Sequence, residues 1–385
     1  MTATYYDSYD FPDSLSIKAS LKISDYTDDQ GNSDYFDNTM GLVTGTKLKV
    51  LGTQDYVTAT NYYDDKYRVI QSLKRIYDDN NGLEVLSTAY DFINNLTESN
   101  KMQYFGGDTT MVKEFYTYDP QGRILKTEHQ VDNNTRVVIS ETNYNEIGQL
   151  TDKKFNKVGS TYLQEVAYRY NIRGWLTDIN DPTNLGNDLF SMKLLYNNPG
   201  ELANLTTQNQ YNGNISGIIW NRKISDEDTL KSAYSFFYDD LNRIKNNYYG
   251  EGSSLTSSEK FREYDYTYDF NGNINTLKRN GNSGSQIDNL QYYYNGTTSN
   301  TLAKVEDSSG AVGFVNGNSV GNDYDYDRNG NLTKDLNKEL QSIEYNYLNL
   351  PYKIKNSNGD SITYYYDAQG TKLRKLVRKI GRAHV

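Results

Sequence analysis

The sequence contains no cysteine, which excludes disulfides, thiolate metal ligands and cysteine nucleophiles. It contains only two histidines, His129 and His384, so a histidine-built metal centre has almost nothing to work with. No apolar run approaches the roughly 20 residues of a membrane-spanning helix. The opening Met-Thr-Ala-Thr-Tyr-Tyr-Asp has neither the basic nor the apolar region of a signal peptide. No stretch sustains a helical period. Basic residues are outnumbered 40 to 50, for a net charge of -10. Phosphate neutralisation needs clustered Lys and Arg, so neither nucleic acid nor an anionic membrane surface is an expected partner.

The ordinary apolar set is thin as well. With Tyr set aside and Gly counted it makes up about a third of the chain, against roughly 45–50% in globular domains. A compact globule of 385 residues needs a thicker core than that. What the chain has instead is tyrosine, 38 residues of it. Tyr buries a large ring while keeping its hydroxyl wet, and it favours strands, so it suits a wall one or two layers deep. Such aromatic density argues against disorder.

Many of these tyrosines belong to a repeat: Tyr, then Asp or Asn, two variable residues, then Gly. Seven full copies begin at Tyr118, Tyr144, Tyr170, Tyr196, Tyr268, Tyr326 and Tyr366. Degenerate copies stand at Tyr63-Asp64, Tyr90-Asp91, Tyr238-Asp239 and Tyr294-Asn295. Tyr118, Tyr144, Tyr170 and Tyr196 follow at steps of 26, and Tyr268 to Tyr294 is the same step. Periods of this size belong to repeat arrays.

Each copy reads as a turn. Asp or Asn at the first position accepts hydrogen bonds from the turn's own backbone, and Gly three residues on absorbs the exit geometry. Turns are therefore expected over 119–122, 145–148, 171–174, 269–272, 327–330 and 367–370. Gly122, Gly174, Gly272 and Gly330 serve them and perform no chemistry. Pro199 sits where a type I turn disfavours it, so the Tyr196 copy should turn differently. Before the turns the aromatics alternate, as in Tyr264-Tyr266-Tyr268, Tyr234-Phe236-Tyr238, Val166-Tyr168-Tyr170 and Ile362-Tyr364-Tyr366, which puts them on one face of a strand. Strand, turn and strand make a hairpin. The predicted fold is all-β: an array of antiparallel hairpins whose rings form ladders. Residues 1–55 read as an irregular N-terminal β segment and 56–379 as the array. The Gly- and Ser-rich stretches 250–258 and 280–286 read as longer hairpin loops.

The motif resembles the YD repeats of the Rhs family, most closely as Tyr118-Asp119-Pro120-Gln121-Gly122-Arg123-Ile124. The run from Tyr170 to Asn180 is similar to Rhs proteins of Bacteroidetes type. The resemblance covers about residues 56–379. It implies a long sheet wound into a hollow shell that encloses a C-terminal toxin or other polymorphic domain, in a large secreted or surface protein. The implied partners are that protein's own C-terminal core and cargo. In the family a self-cleaving core follows the repeats. Its Asp-His-Leu-Gly-Asn-x-Arg run does not occur here, so neither self-cleavage nor cargo carries over. Residues 380–385, Ile-Gly-Arg-Ala-His-Val, translate a short-read sequencing adapter and are expected to be an artefact.

Candidate sites weigh against chemistry. His129 is a lone histidine in a strand-like run, and no nucleophile elbow accompanies any Ser. Asp325 to Gly330 imitates the start of a calcium loop, but the position of its bidentate Glu falls on Leu336. Asp and Glu pairs suited to glycoside hydrolysis are available in such a chain, but turn chemistry already accounts for the recurrent Asp. Trp175 and Trp220 suit packing in the array better than stacking on sugars. The expectation is a structural section of a shell, with no catalytic, cofactor or metal residue. The alternative is a glycan- or cell-surface-binding module using exposed Tyr, Trp and Asn. Alone, the chain is expected to associate or to be marginally stable, and to show no turnover.

Overall fold

The computed structural model describes residues 2–23, 34–79, 81–225, 228–310, 312–318 and 320–379. Met1 and residues 380–385, among them His384, lie outside these. The described residues form 27 strands and three short 3-10 turns. Each strand pairs antiparallel with a neighbour in sequence, so the chain is a meander of hairpins. Seventeen strands, from Thr2–Tyr6 to Thr256–Ser258, make one sheet. Four more, Glu263–Tyr268 to Gln286–Tyr294 and Leu302–Asp307, make a second. The last six, Tyr324–Tyr326 to Lys372–Arg378, make a third.

Side-chain acceptors carry hydrogen bonding across the breaks between sheets. At the first, the amides of Glu263 and Asp265 donate to Asn247 Oδ1 and Asn246 Oδ1, at 2.9 and 3.1 Å. At the second, the amide of Val305 donates to Asp323 Oδ2 at 2.8 Å, and the Asp323 amide donates to the Ala303 carbonyl at 2.9 Å.

A single sheet cannot bury a core, and the chain supplies a second layer from its irregular stretches. Leu15, with Tyr9 and Ile17, packs on Tyr62, Ile70, Leu73 and Val85. The Leu15 amide donates to Thr60 Oγ1 at 2.9 Å, and Tyr62 donates to the Leu15 carbonyl at 2.8 Å. Leu202 and Leu205 cover Leu195, Ile219 and Ala233. Phe314 covers Leu277, Leu290 and Val305. The breaks in repeat spacing are therefore the places where the chain leaves the sheet to lie on it.

Within 1–55, Thr2–Tyr6 pairs with Val43–Lys49, which pairs with Tyr56–Tyr63 at the start of 56–379. The Tyr196 copy turns differently, as Pro199 implied: after it the chain enters the 3-10 turn Gly200–Leu202 and buries Leu202. One local expectation is corrected: the stretches 250–258 and 280–286 are not longer loops but tight turns, closed by Leu255 N to Gly252 O at 3.1 Å and Gly284 N to Gly281 O at 3.0 Å.

Candidate functional site

The site with the most repeated geometry is the row of turns. At Asp119 the amide of Gly122 donates to the Asp119 carbonyl at 3.0 Å, and the Asp119 amide donates to the Arg123 carbonyl at 2.9 Å. Asp119 Oδ1 accepts the amides of Gln121 and Arg123, both at 2.9 Å. Its second oxygen takes Arg123 Nε at 2.5 Å. All six turns expected from the sequence have this backbone pattern. So do those at Asp64, Asp91, Asp239 and Asn346, where Tyr67, Asn94, Asn242 and Asn349 take the left-handed exit at φ 61, 70, 63 and 57°. The sequence reading omits the Asn346 turn, although Tyr345-Asn346 opens it as in the degenerate copies and Asn349 tolerates the left-handed exit better than most residues.

In most copies the tyrosine faces backwards, its hydroxyl donating to the first strand carbonyl after the preceding turn. Tyr118 bonds Leu96 at 2.7 Å, Tyr268 bonds Ile244 at 2.6 Å and Tyr294 bonds Ile274 at 2.9 Å. Tyr345 bonds Leu332 at 2.8 Å and Tyr366 bonds Pro351 at 2.9 Å. Tyr196 keeps its bond, to Leu176 at 2.8 Å, although its own turn is lost. Burial pushes the hydroxyls of Tyr118, Tyr196 and Tyr238 above their ordinary pKa, which keeps them donors. The Arg after a turn completes the lock: Arg68, Arg123 and Arg243 lie over the rings of Tyr90, Tyr144 and Tyr268 at 5.0, 4.6 and 4.4 Å. Thus Asp or Asn builds its own repeat and Tyr ties it to the one before.

The array also meets itself. Val50 and Asp367 form an antiparallel bridge. The amide of Leu51 donates to the Tyr366 carbonyl at 2.8 Å. Nearby, Arg374 pairs with Asp78 at 2.6 Å, and the rings of Tyr77 and Tyr365 stand 5.8 Å apart. Val50 is fully buried and Asp367 nearly so. Beside this seam opens a cleft of about 520 Å³, lined by Tyr347, Tyr352, Lys353, Ser361 and Arg378 among others.

The residues weighed for chemistry lie elsewhere. His129 is half-buried in Ile124–Val131, opposite Glu114 and Val137. Both oxygens of Asp327 are taken by the turn: Oδ1 accepts the amides of Asn329 and Asn331, and Oδ2 accepts Asn331 Nδ2. Asp325 pairs with Lys334 at 3.6 Å. Among the described residues no three His, Asp or Glu converge as metal ligands. Trp175 packs against Tyr196 at 5.0 Å, and Trp220 against Tyr234 at 5.5 Å. No helix of the described residues is long and apolar enough to cross a membrane.

No family model matches the chain, and no curated protein matches it in sequence. Solved structures do. The crystal structure of TcdB2-TccC3-Cdc42 aligns over 89% of this chain at a TM-score of 0.62 and 13% identity. The likeness establishes the fold, a long antiparallel hairpin array. This chain spans only 16% of the chain it matches there. TcdB2-TccC3 without its hypervariable C-terminal region and the Photorhabdus luminescens Tc holotoxin pore align at 10% identity each. Those two cover 89% and 86% of this chain, and 21% and 23% of theirs, at TM-scores of 0.35 and 0.26.

Proposed function

We propose that this chain is a section of a wound β-shell of the Rhs/YD-repeat kind, a wall rather than an enzyme. The carrying observation is the seam, where Val50 meets Asp367 and a meander of hairpins returns onto its own beginning. A flat sheet would keep these residues far apart. The polar groups that recur along the array are spent on the array itself, with Asp and Asn held in turns and Tyr hydroxyls bonded to the preceding repeat. That is the economy of a wall. In the full protein the wall encloses or presents a C-terminal domain and is secreted or carried on the cell surface. The fold shared with the solved TcdB2-TccC3-Cdc42 structure supports that reading.

The absence of cysteine makes the winding measurable. Spin labels on Gln54→Cys and Gln369→Cys, two exposed turn residues, should give one short and narrow distance distribution. A long or broad distribution would refute a wound wall. In the full-length protein, the segment after the array should resist protease until the array is unfolded, and its immediate cleavage would count against enclosure. Turnover by the purified chain on peptide, glycoside or nucleic-acid substrates would replace the wall with an enzyme.

A further inference from the structure

Charge is unevenly spread along this acidic chain. Between Pro351 and Lys379 stand seven basic residues and two acidic ones, in a sequence of net charge -10. Part of this basic set lines the cleft beside the seam. Strand pairing puts Ser361 between Lys355 and Arg378, and Thr363 between Lys353 and Leu376. Paired residues on neighbouring strands, and alternate residues along one strand, share a face. Lys353, Lys355 and Arg378 therefore stand together, about 7 Å apart along a strand and about 10 Å apart across two strand spacings.

No Asp or Glu lines the cleft among the described residues. Lys355 has Glu344 at 3.8 Å, but that carboxylate already accepts the Tyr352 hydroxyl at 2.7 Å. Lys353 and Arg378 form no ion pair among the described residues, and Glu344, which stands opposite Lys353 in the strand register, is the one carboxylate on that face set against three cations. Two tyrosines at the cleft, Tyr347 and Tyr352, are 71% and 36% exposed, whereas the ladder tyrosine Tyr366 is buried. Free cations on a sheet floor, with exposed rings and Ser and Thr hydroxyls beside them, require an anionic ligand with apolar faces and many hydroxyls.

We propose that this cleft binds a carboxylated oligosaccharide. The rings of Tyr347 and Tyr352 carry sugar faces, Ser361 and Thr363 bond sugar hydroxyls, and Lys353, Lys355 and Arg378 pair with the carboxylates. An acidic peptide fits the floor less well, because its carboxylate-bearing chain offers no flat apolar face to the rings of Tyr347 and Tyr352. A nucleic acid brings dense phosphate into the field of a chain with net charge -10. The cations, rings and hydroxyls of the site all belong to the last sheet and its turns, and only Leu51 and Gly52 reach the cleft across the seam.

Calorimetric titration of the 385-residue chain with hexagalacturonate tests it, with maltohexaose as the neutral control. A poly-glutamate peptide and an oligo-dT serve as the rival polyanions. Saturable binding of hexagalacturonate alone is expected. It should weaken at least about tenfold in Lys353→Gln/Arg378→Gln and stay unchanged in Lys66→Gln/Lys245→Gln, which removes the same charge elsewhere. Tyr347→Ala, at an exposed turn, should weaken it too and serves if the first double variant fails to fold. The proposal is overturned by no saturable binding, by equal loss in both double variants, or by tighter binding of the peptide or the oligonucleotide.

Discussion

The Tyr118 hydroxyl donates to the main-chain carbonyl of Leu96 at 2.7 Å, across a hairpin boundary. Leu96 is the first strand residue after the preceding turn, and the same relation links most repeats. Tyr118→Phe keeps the ring and removes only this bond. It should cost about 1 kcal/mol, the usual net worth of such a hydrogen bond, while Tyr118→Ala should cost several times more through lost packing. Denaturant titration measures both. Equal losses would mean that the ring, and not the hydroxyl, ties the repeats.

The exits of the turns at Gly122, Gly174, Gly272 and Gly330 lie at φ 79, 78, 87 and 83°. A side chain in this region costs about 1–2 kcal/mol, and a β-branched one more. Each Gly→Val should therefore lower the melting temperature. Gly→Asn should be much milder, because Asn94, Asn242 and Asn349 already occupy the same position in sister turns. Equal effects of Val and Asn would remove the left-handed exit from the account.

The turn carboxylates should make the array acid-sensitive. Hydrogen bonding holds Asp239 below its ordinary pKa of 3.8, chiefly through the Arg243 amide, and holds Asp327 below it chiefly through the Asn331 side chain. A depressed folded pKa gives stability that is complete above the ordinary carboxylate value and is lost as pH falls through the folded one. The melting temperature should be flat from neutrality to about pH 5 and fall below about pH 4. Hydrogen exchange should show the Asp239 and Asp327 turns opening in acid before those of Asn145 and Asn171, which have no proton to gain.

The core lies where the irregular segments cover the sheet. Leu73→Ala and Leu202→Ala, both fully buried, should each cost about 2–5 kcal/mol. Ile172→Ala, at a fully exposed turn position, should stay within about 0.5 kcal/mol. Comparable losses at Leu202 and Ile172 would mean that the segment after Pro199 does not form the second layer.

The sequence by itself determined the hairpins. An Asp or Asn closes a turn with its own oxygen over four residues, a bond local enough to form wherever no Pro intervenes as Pro199 does in the Tyr196 copy. The alternation of Tyr264, Tyr266 and Tyr268 likewise fixes which face they share. The Asn346 turn carries the same Tyr-Asn opening as the degenerate copies and, like them, has no Gly at its exit. Gly and Ser content suggests long loops over 250–258 and 280–286, but the length of each turn depends on strand neighbours that composition does not name. Only the tertiary structure decided which carbonyl each Tyr hydroxyl reaches, that Leu15, Leu202 and Phe314 fold back as a second layer, and that Val50 meets Asp367. These contacts join residues far apart in sequence. They depend on twist accumulated strand by strand, which no single repeat contains.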